Sequence, residues 1–435
     1  MLDINFIREN PEAVKKNIAK RGEKYNPQLV DQLLKLDKEW RELRGSVDSL
    51  RHERNKLTLQ ITKLSKEKKD ISKLVTKAKN LPDEIKKSEV ILEDLKKNIE
   101  LVHLSIPNML DSSVPLGKND KDNVVRKKWG KVSKIKFELK NHAELLENLG
   151  LADFDAGISN SGQGFNYLKS DSALLDLALQ RYGVEFLLKN GFIPIVPPIL
   201  LNNKTLLGAL NGLKDFEDVV YKVENEDLYL IGTAEHSLVT MLKNKTLNKK
   251  DLPMKFFAVT PCFRKEIGGH GIDMKWLFRM HQFNKVEQVI FAKPEESMKM
   301  LNYMQGLTEK FFQSLKIPYR IVEICSGDLG AKFAKQWDIE AWFPRQNEYR
   351  EVTSAGSCTD YQAVALNIKY IDKDKKDYVH ILNNTMVATS RAMVAILENY
   401  QQKDGSVKVP AVLVKYMNGK RFIGGRKNER KSGRQ

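Results

Sequence analysis

Cysteine is scarce in this sequence and scattered. Cys262, Cys325 and Cys358 are the only three in 435 residues, and no C-x-x-C pair occurs. That excludes a disulfide framework and a cysteine-rich zinc module, leaving buried or incidental thiols as the expectation. Neither G-x-x-x-x-G-K-[ST] nor G-x-G-x-x-G is present, so a bound nucleotide would have to be held by other means. No uncharged stretch approaches the ~20 apolar residues of a membrane helix, and MLDINFIREN has neither the basic region nor the apolar run of a signal peptide. A soluble cytosolic protein with no membrane partner is expected. Acidic residues are also short: 56 Asp+Glu against 73 Lys+Arg leave a net charge of +17, which calls for an anionic partner. At ~100–200 residues per domain the chain has room for two or three domains.

What is present divides into an arm and a body. Leu33, Leu36, Trp40, Leu43, Val47, Leu50, Leu57, Ile61 and Leu64 follow spacings of three and four with only Arg54 intervening, the seam of a coiled coil. A second seam runs through Leu74, Ala78, Leu81, Ile85, Ser88, Leu92, Leu95, Ile99, Val102 and Ile106. Two such helices over about residues 28–106 predict an antiparallel hairpin. The lysine-rich KLSKEKKDISKLVTKAK (63–79) falls near its tip, and Pro82 should start or kink the second helix, with the break near 65–82. Lysines on a coiled coil can merely solubilise it, and such a hairpin could equally be a protein-interaction rod.

Residues 113–130, rich in Pro, Gly, Asn, Asp and Lys, read as a linker. Beyond it come an apolar helix (172–191), short β-rich runs such as MKFFAVT, VEQVIFA and PYRIVEI, and a further helix (391–402). Without regular βαβ alternation the body is expected to be α+β around a mainly antiparallel sheet. The organisation expected is an N-terminal domain over 1–110 with a coiled-coil arm, a linker over 111–130, a core over 131–418 and a basic, unpacked tail over 419–435.

One segment concentrates chemistry. In PCFRKEIGGHGIDMKWLFRMHQFNKVEQVIF (261–291) a strand carries Arg264 and Glu266, a Gly-rich loop follows, and a returning strand carries Arg279, Phe283, Lys285 and Glu287. Period two puts Phe283, Lys285 and Glu287 on one face. Guanidinium for phosphate oxygens, an aromatic ring for a purine and a carboxylate for its exocyclic amine are what ATP would need. A solvated salt-bridge ladder explains the charges but not the phenylalanine. His270 and His281 lack the neighbours of a metal site.

This F-R-x-E, loop, L-F-R-M-H-Q-F-N-K-V-E pattern resembles motif 2 of the class II aminoacyl-tRNA synthetases, and of the seryl-tRNA synthetase family in particular. GFIPIVPP (191–198) resembles motif 1, GTAEH (232–236) the serine-binding T-A-E loop, and LNNTMVATSRAM with Arg391 motif 3. YREVTS before a Q-A segment, and the N-terminal opening with its hairpin, fit as well. The resemblance covers nearly the whole chain, is of the common non-zinc type and points to the archaeal and eukaryotic-like branch. It implies a class II antiparallel sheet flanked by helices, in a homodimeric ligase. Such a ligase makes seryl-adenylate from L-serine and ATP with Mg2+, then charges tRNA-Ser, with tRNA-Sec as a further candidate. The arm would contact the long variable arm of the tRNA.

Carried over by position, Arg264 would bridge the serine carboxylate and the α-phosphate, and Glu266 would read the adenine amine. Phe283 would stack on the ring, with backbone at Met280 along its edge, while Arg279 and Arg391 would hold the outer phosphates. Lys265, Lys285, Val352 and Thr353 complete the ATP set, and Glu351 with Ser354 would ligate the metal. Thr233, Glu235 and Glu287 would receive the ammonium group, Asn383 and Thr385 would reach the hydroxyl, and Ala234 belongs to the same serine-binding set. Arg264, Arg391 and Glu287 are the expected catalytic residues. In the motif 2 loop His270, Ile272, Met274 and Trp276, and after the Q-A pair Val364 and Ala365, depart from the family's usual small, basic, threonine, glycine and arginine residues. The adenylation set is intact, so the departures bear on tRNA contact. A paralogue that activates serine without ordinary tRNA charging stays open as the alternative, and a non-enzymatic coiled-coil protein is disfavoured by the motif 2 and motif 3 arginines.

Overall fold

A computed structural model describes all residues except 133–134, 211–218, 266–276 and 425–435. The chain forms two compact units: one comprises residues 2–19 and 23–107, the other Met1, 20–22 and 108–435.

The smaller unit is built on two long helices, α1 (Leu29–Lys66) and α2 (Ser72–Leu104). Both seams hold in register: Leu33, Val47 and Leu57 of α1 and Leu81 and Ile85 of α2 are buried, whereas Arg54 is exposed. Each such side chain taken from water contributes ~1.5–3 kcal/mol, and this packing, more than intrinsic propensity, holds the two helices. Cross-helix pairs Arg51–Glu89 (2.8 Å) and Lys77–Glu53 (2.6 Å) fix the antiparallel direction. The break falls at 67–71, where Lys68 takes a positive φ of 54° and Asp70 Oδ1 accepts the Ser72 N–H at 2.9 Å, restarting the helix. Pro82 does not start α2; it lies inside it, eleven residues in.

The larger unit centres on an eight-stranded sheet. In chain order its strands are β1 (Val124–Trp129), β2 (Ile193–Pro194), β3 (Met254–Phe263), β4 (Gln282–Ala292), β5 (Tyr319–Glu323), β6 (Lys335–Phe343), β7 (Glu348–Ser357) and β8 (His380–Ala388). Their spatial order is β1-β5-β6-β7-β8-β4-β3-β2, antiparallel throughout except for the β2–β3 pair at the edge. Helices α3 (Asp171–Lys189), α5 (Ser297–Ser314) and α7 (Thr389–Asn399) share one core with the sheet. Strand alternation then assigns every other residue to that core: Val286 and Ile290 of β4, Leu382 and Met386 of β8, Ile339 and Ala341 of β6. On the opposite face Val289, Phe291 and Ile381 pack with α4 (Ala234–Thr240) and α6 (Tyr361–Leu366) at one end, and the face beyond them is left for polar residues.

Several expectations are corrected. Residues 124–129 of the expected linker are strand β1, paired with β5; its Arg-Lys-Lys sequence is that of an exposed edge, which charge keeps from pairing further. Phe422–Ile423, placed in the tail, pair with Val407–Lys408, and Ile423 is buried. The rest of the tail, 425–435, lies outside the described residues, as do Glu266 and the motif 2 loop residues His270, Ile272, Met274 and Trp276. Strand β3 stops at Phe263 and β4 starts at Gln282, so Arg264 and Arg279 lie just beyond the hairpin's strands. The three cysteines are free and buried. Among the described residues no helix is long and apolar enough to cross a membrane.

Candidate active site

The polar face of the sheet opens into a cavity of about 400 Å3. Alternation builds its floor: Phe283, Lys285 and Glu287 of β4 and Asn383 and Thr385 of β8 all line it. The β8–β4 register sets Thr385 opposite Glu287, and its hydroxyl donates to Glu287 Oε2 at 2.9 Å. Lys285 Nζ lies 2.7 Å from the same oxygen. Burial pushes the Glu287 carboxyl above its usual value; Lys285 opposes this and the nearby Glu235 adds to it.

Glu235 enters from α4, whose first turn is capped by Thr233: the Thr233 hydroxyl accepts the Glu235 N–H at 3.3 Å. Its Oε1 accepts both Lys332 Nζ at 2.5 Å and Gln362 Nε2 at 2.8 Å. Burial alone would raise this carboxyl, but Lys332 first, with His236 and the Gln362 hydrogen bond, reverses the effect and holds it below its ordinary value. His236 beside it is driven down to about 3, first by burial and further by the cations Lys332, Arg264 and Lys285, against the pull of Glu235. It is therefore a neutral imidazole in this crowd of charges.

Arg264 stands where these groups meet the rest of the cavity. Its Nε donates to the Gly232 carbonyl at 3.1 Å, its guanidinium lies 5.7 Å from the Phe283 ring centroid, and its backbone N–H bonds to the His281 carbonyl. The His281 ring is stacked on Phe165, with Tyr221 Oη at its Nδ1, which makes it a brace for this corner. At the other end Arg391 Nη1 pairs with Glu351 Oε1 at 2.9 Å, and its guanidinium sits 5.3 Å from the Phe278 ring. Residues 351–354 of β7 and Met280 also line the cavity. Ala234, Lys265 and Arg279 do not; Ala234 is buried in the second core.

For a metal, Glu351 and Ser354 offer carboxylate and hydroxyl oxygens on one strand. Asp338 of β6 is opposite Ser354, bonded to it, and its carboxyl is pushed well up by burial and then by Glu351. The Thr353 hydroxyl is buried without a partner. No cluster of three His, Cys, Asp or Glu among the described residues could hold an ion unaided. The donor set therefore fits a hard cation that keeps few protein ligands and takes others from phosphate and water, as Mg2+ does.

Sequence reasoning missed Lys332, Phe278, Gln336 and Asp338. All four lie in or beside strands whose charges and aromatics carry no period that separates an inward lysine from a solvated one.

Chemically, the cavity joins a carboxylate-walled pocket suited to an ammonium group to an arginine-lined end suited to phosphates. Known proteins resemble this chain along nearly its whole length. Residues 220–400 match the tRNA synthetase class II core domain (G, H, P, S and T), and residues 1–110 match the seryl-tRNA synthetase N-terminal domain. A serine–tRNA ligase of Methanospirillum hungatei is 46% identical over 426 residues, covering 97% of this chain and 100% of the relative. One from Pyrococcus horikoshii is 46% identical over 452 residues, 99% of each. Among solved structures, seryl-tRNA synthetase from P. horikoshii complexed with ATP superposes with a TM-score of 0.87 at 46% identity, over 97% of this chain and 99% of that one. The cytoplasmic serine–tRNA ligase of Naegleria fowleri in complex with AMP follows at 0.81 and 34%, over 97% and 98%.

Proposed function

This chain belongs to the seryl-tRNA synthetase family, and from that we propose that it activates L-serine with ATP to seryl-adenylate and transfers the seryl group to the 3′ end of tRNA-Ser. The observation that carries the reading is Arg264, held by the Gly232 carbonyl and Phe283 in a single cavity that Glu235, Glu287 and Arg391 also line.

Serine's ammonium sits against Glu287, Glu235 and Thr233, its hydroxyl reaches Asn383 and Thr385, and its carboxylate faces Arg264. The carboxylate is already ionised, so the first step needs no side-chain base. The protein aligns that oxygen with the α-phosphorus and neutralises charge as pyrophosphate departs. Arg264 does so at the α-phosphate, while Arg391 and Arg279 hold the outer phosphates. The adenine stacks on Phe283 beside the Met280 backbone, and Glu266 takes its amine. Buried partners for the serine hydroxyl reject alanine, which would leave them unpaired; threonine is excluded by bulk. Glu351 and Ser354 would hold Mg2+, which would supply neutralisation of phosphate charge. The lysine-bearing tip of the arm takes the long variable arm of tRNA-Ser, and the enzyme works in the cytoplasm as a homodimer.

Aminoacylation of tRNA-Ser transcripts with radiolabelled serine tests the reading. Charging with serine is expected; serine-dependent ATP–pyrophosphate exchange without charging would assign the chain to the serine-activating paralogues, and exchange with threonine instead would overturn the substrate.

A further inference from the structure

Lys332 is a buried cation inside the cavity that no part of the proposed chemistry uses. Its position is built. The carbonyl of Lys332 accepts Asn108 Nδ2 at 2.9 Å, and the ring of the next residue, Phe333, lies so close to Gly356 of β7 that a Cβ there would come within 2.3 Å of it. Lys332 Nζ is 4.9 Å from that ring and 2.5 Å from Glu235 Oε1, with both side chains buried. Gln362 Nε2, itself anchored on the Ala209 carbonyl, occupies the same oxygen. Two donors thus fill Oε1 before any ligand arrives, and only Oε2 remains.

We propose that Lys332 is a specificity-determining residue that acts as a built-in competitor of the substrate ammonium: it holds Glu235 and leaves Glu287 as the main anion for serine's amino group. This rests on the serine-activating reading of the cavity. Two like charges within hydrogen-bond reach of one carboxylate repel each other, and in a buried site that repulsion is weakly screened. Lys332 therefore keeps serine from drawing on both carboxylates equally.

The test is serine-dependent ATP–pyrophosphate exchange by the full chain and by Lys332→Met. The variant is expected to lower KM for serine at least about threefold, the equivalent of a weak charge contact, with KM for ATP unchanged. L-glycerate, which carries a hydroxyl in place of the ammonium, serves as a competitive inhibitor whose inhibition constant should not move. Lys332→Gln keeps a neutral donor toward Glu235 and should shift serine in the same direction if methionine destabilises the fold. An unchanged or raised KM for serine, or an equal tightening of serine and glycerate, overturns the inference while leaving the activity standing. Absence of serine-dependent exchange in the unaltered chain overturns both.

Discussion

At the scale of single residues the cavity is governed by how its charges are shared. Arg264 is the group expected to face both substrates, so Arg264→Ala should lower exchange ~10²–10³-fold, the loss usual for one well-placed donor to developing charge. Arg264→Lys should restore only part, since an ammonium cannot stack on Phe283 or reach two oxygens in one plane. Steady-state exchange against both serine and ATP checks this. His236 gives a pH prediction. Its folded-state pKa is depressed to about 3, whereas the unfolded imidazole titrates near 6.5, so below the latter the unfolded chain binds the extra proton. The contribution of neutral His236 is thus whole above pH ~6.5 and is lost progressively down to ~3, costing about 2 kcal/mol between pH 7 and 5. The thermal midpoint of His236→Gln should fall less over that interval than that of the unaltered chain; equal falls would show that other groups set the acid limb. Phe283, Lys285 and Glu287 were legible because one strand with period two carries all three. Lys332 was not, because an inward lysine beside a glutamate from a distant helix leaves no local pattern.

At the scale of elements the two long helices were the most readable part, since a seam repeated over many turns over-determines its register. The break at 67–71 falls inside the expected window of 65–82 but not at Pro82, because Asp70 restarts the helix ten residues earlier than the proline. Strand β1 was missed for the opposite reason: an edge strand has one paired side and little burial, so Val-Val-Arg-Lys-Lys-Trp reads as loop. The same exposure gives the arm its test. Lys66, Lys68, Lys73 and Lys79 are exposed around the tip. Changing them to glutamate should raise KM for tRNA-Ser about tenfold or more at low salt and leave exchange unaltered. For every phosphate no longer neutralised by a lysine, the slope of log affinity against log salt should become shallower by roughly 0.7–0.9. Charging assays and filter binding across a salt series measure both. A parallel loss of exchange would mean that the arm supports the body and does not hold RNA.

At the scale of the whole molecule the surplus of +17 and the apolar surface call for different partners. Strand β2 closes one edge of the sheet with only β3 as neighbour. Its own Ile193 is 53% exposed and the nearby Val196 99%, and on α3 Leu177 is 59% and Leu188 46% exposed. An open sheet edge flanked by exposed aliphatic side chains invites burial against a partner. Pro194 removes one donor from β2 but leaves the side chains uncovered. A second copy offers the same surface about a two-fold axis, which is the commonest way such a patch is covered. The chain of 49.9 kDa should accordingly run as a species of about twice that mass in size-exclusion chromatography with light scattering. Val196→Asp together with Ile193→Lys should shift it to the monomer with secondary structure retained, because both side chains already face solvent in the single chain and only the interface loses by the change. Exchange activity should fall with dimer content across protein concentration, since α3 packs directly beneath β4 and loses its support when the partner leaves. A double variant that remained dimeric would place the interface elsewhere, and a monomer of full activity would separate catalysis from assembly.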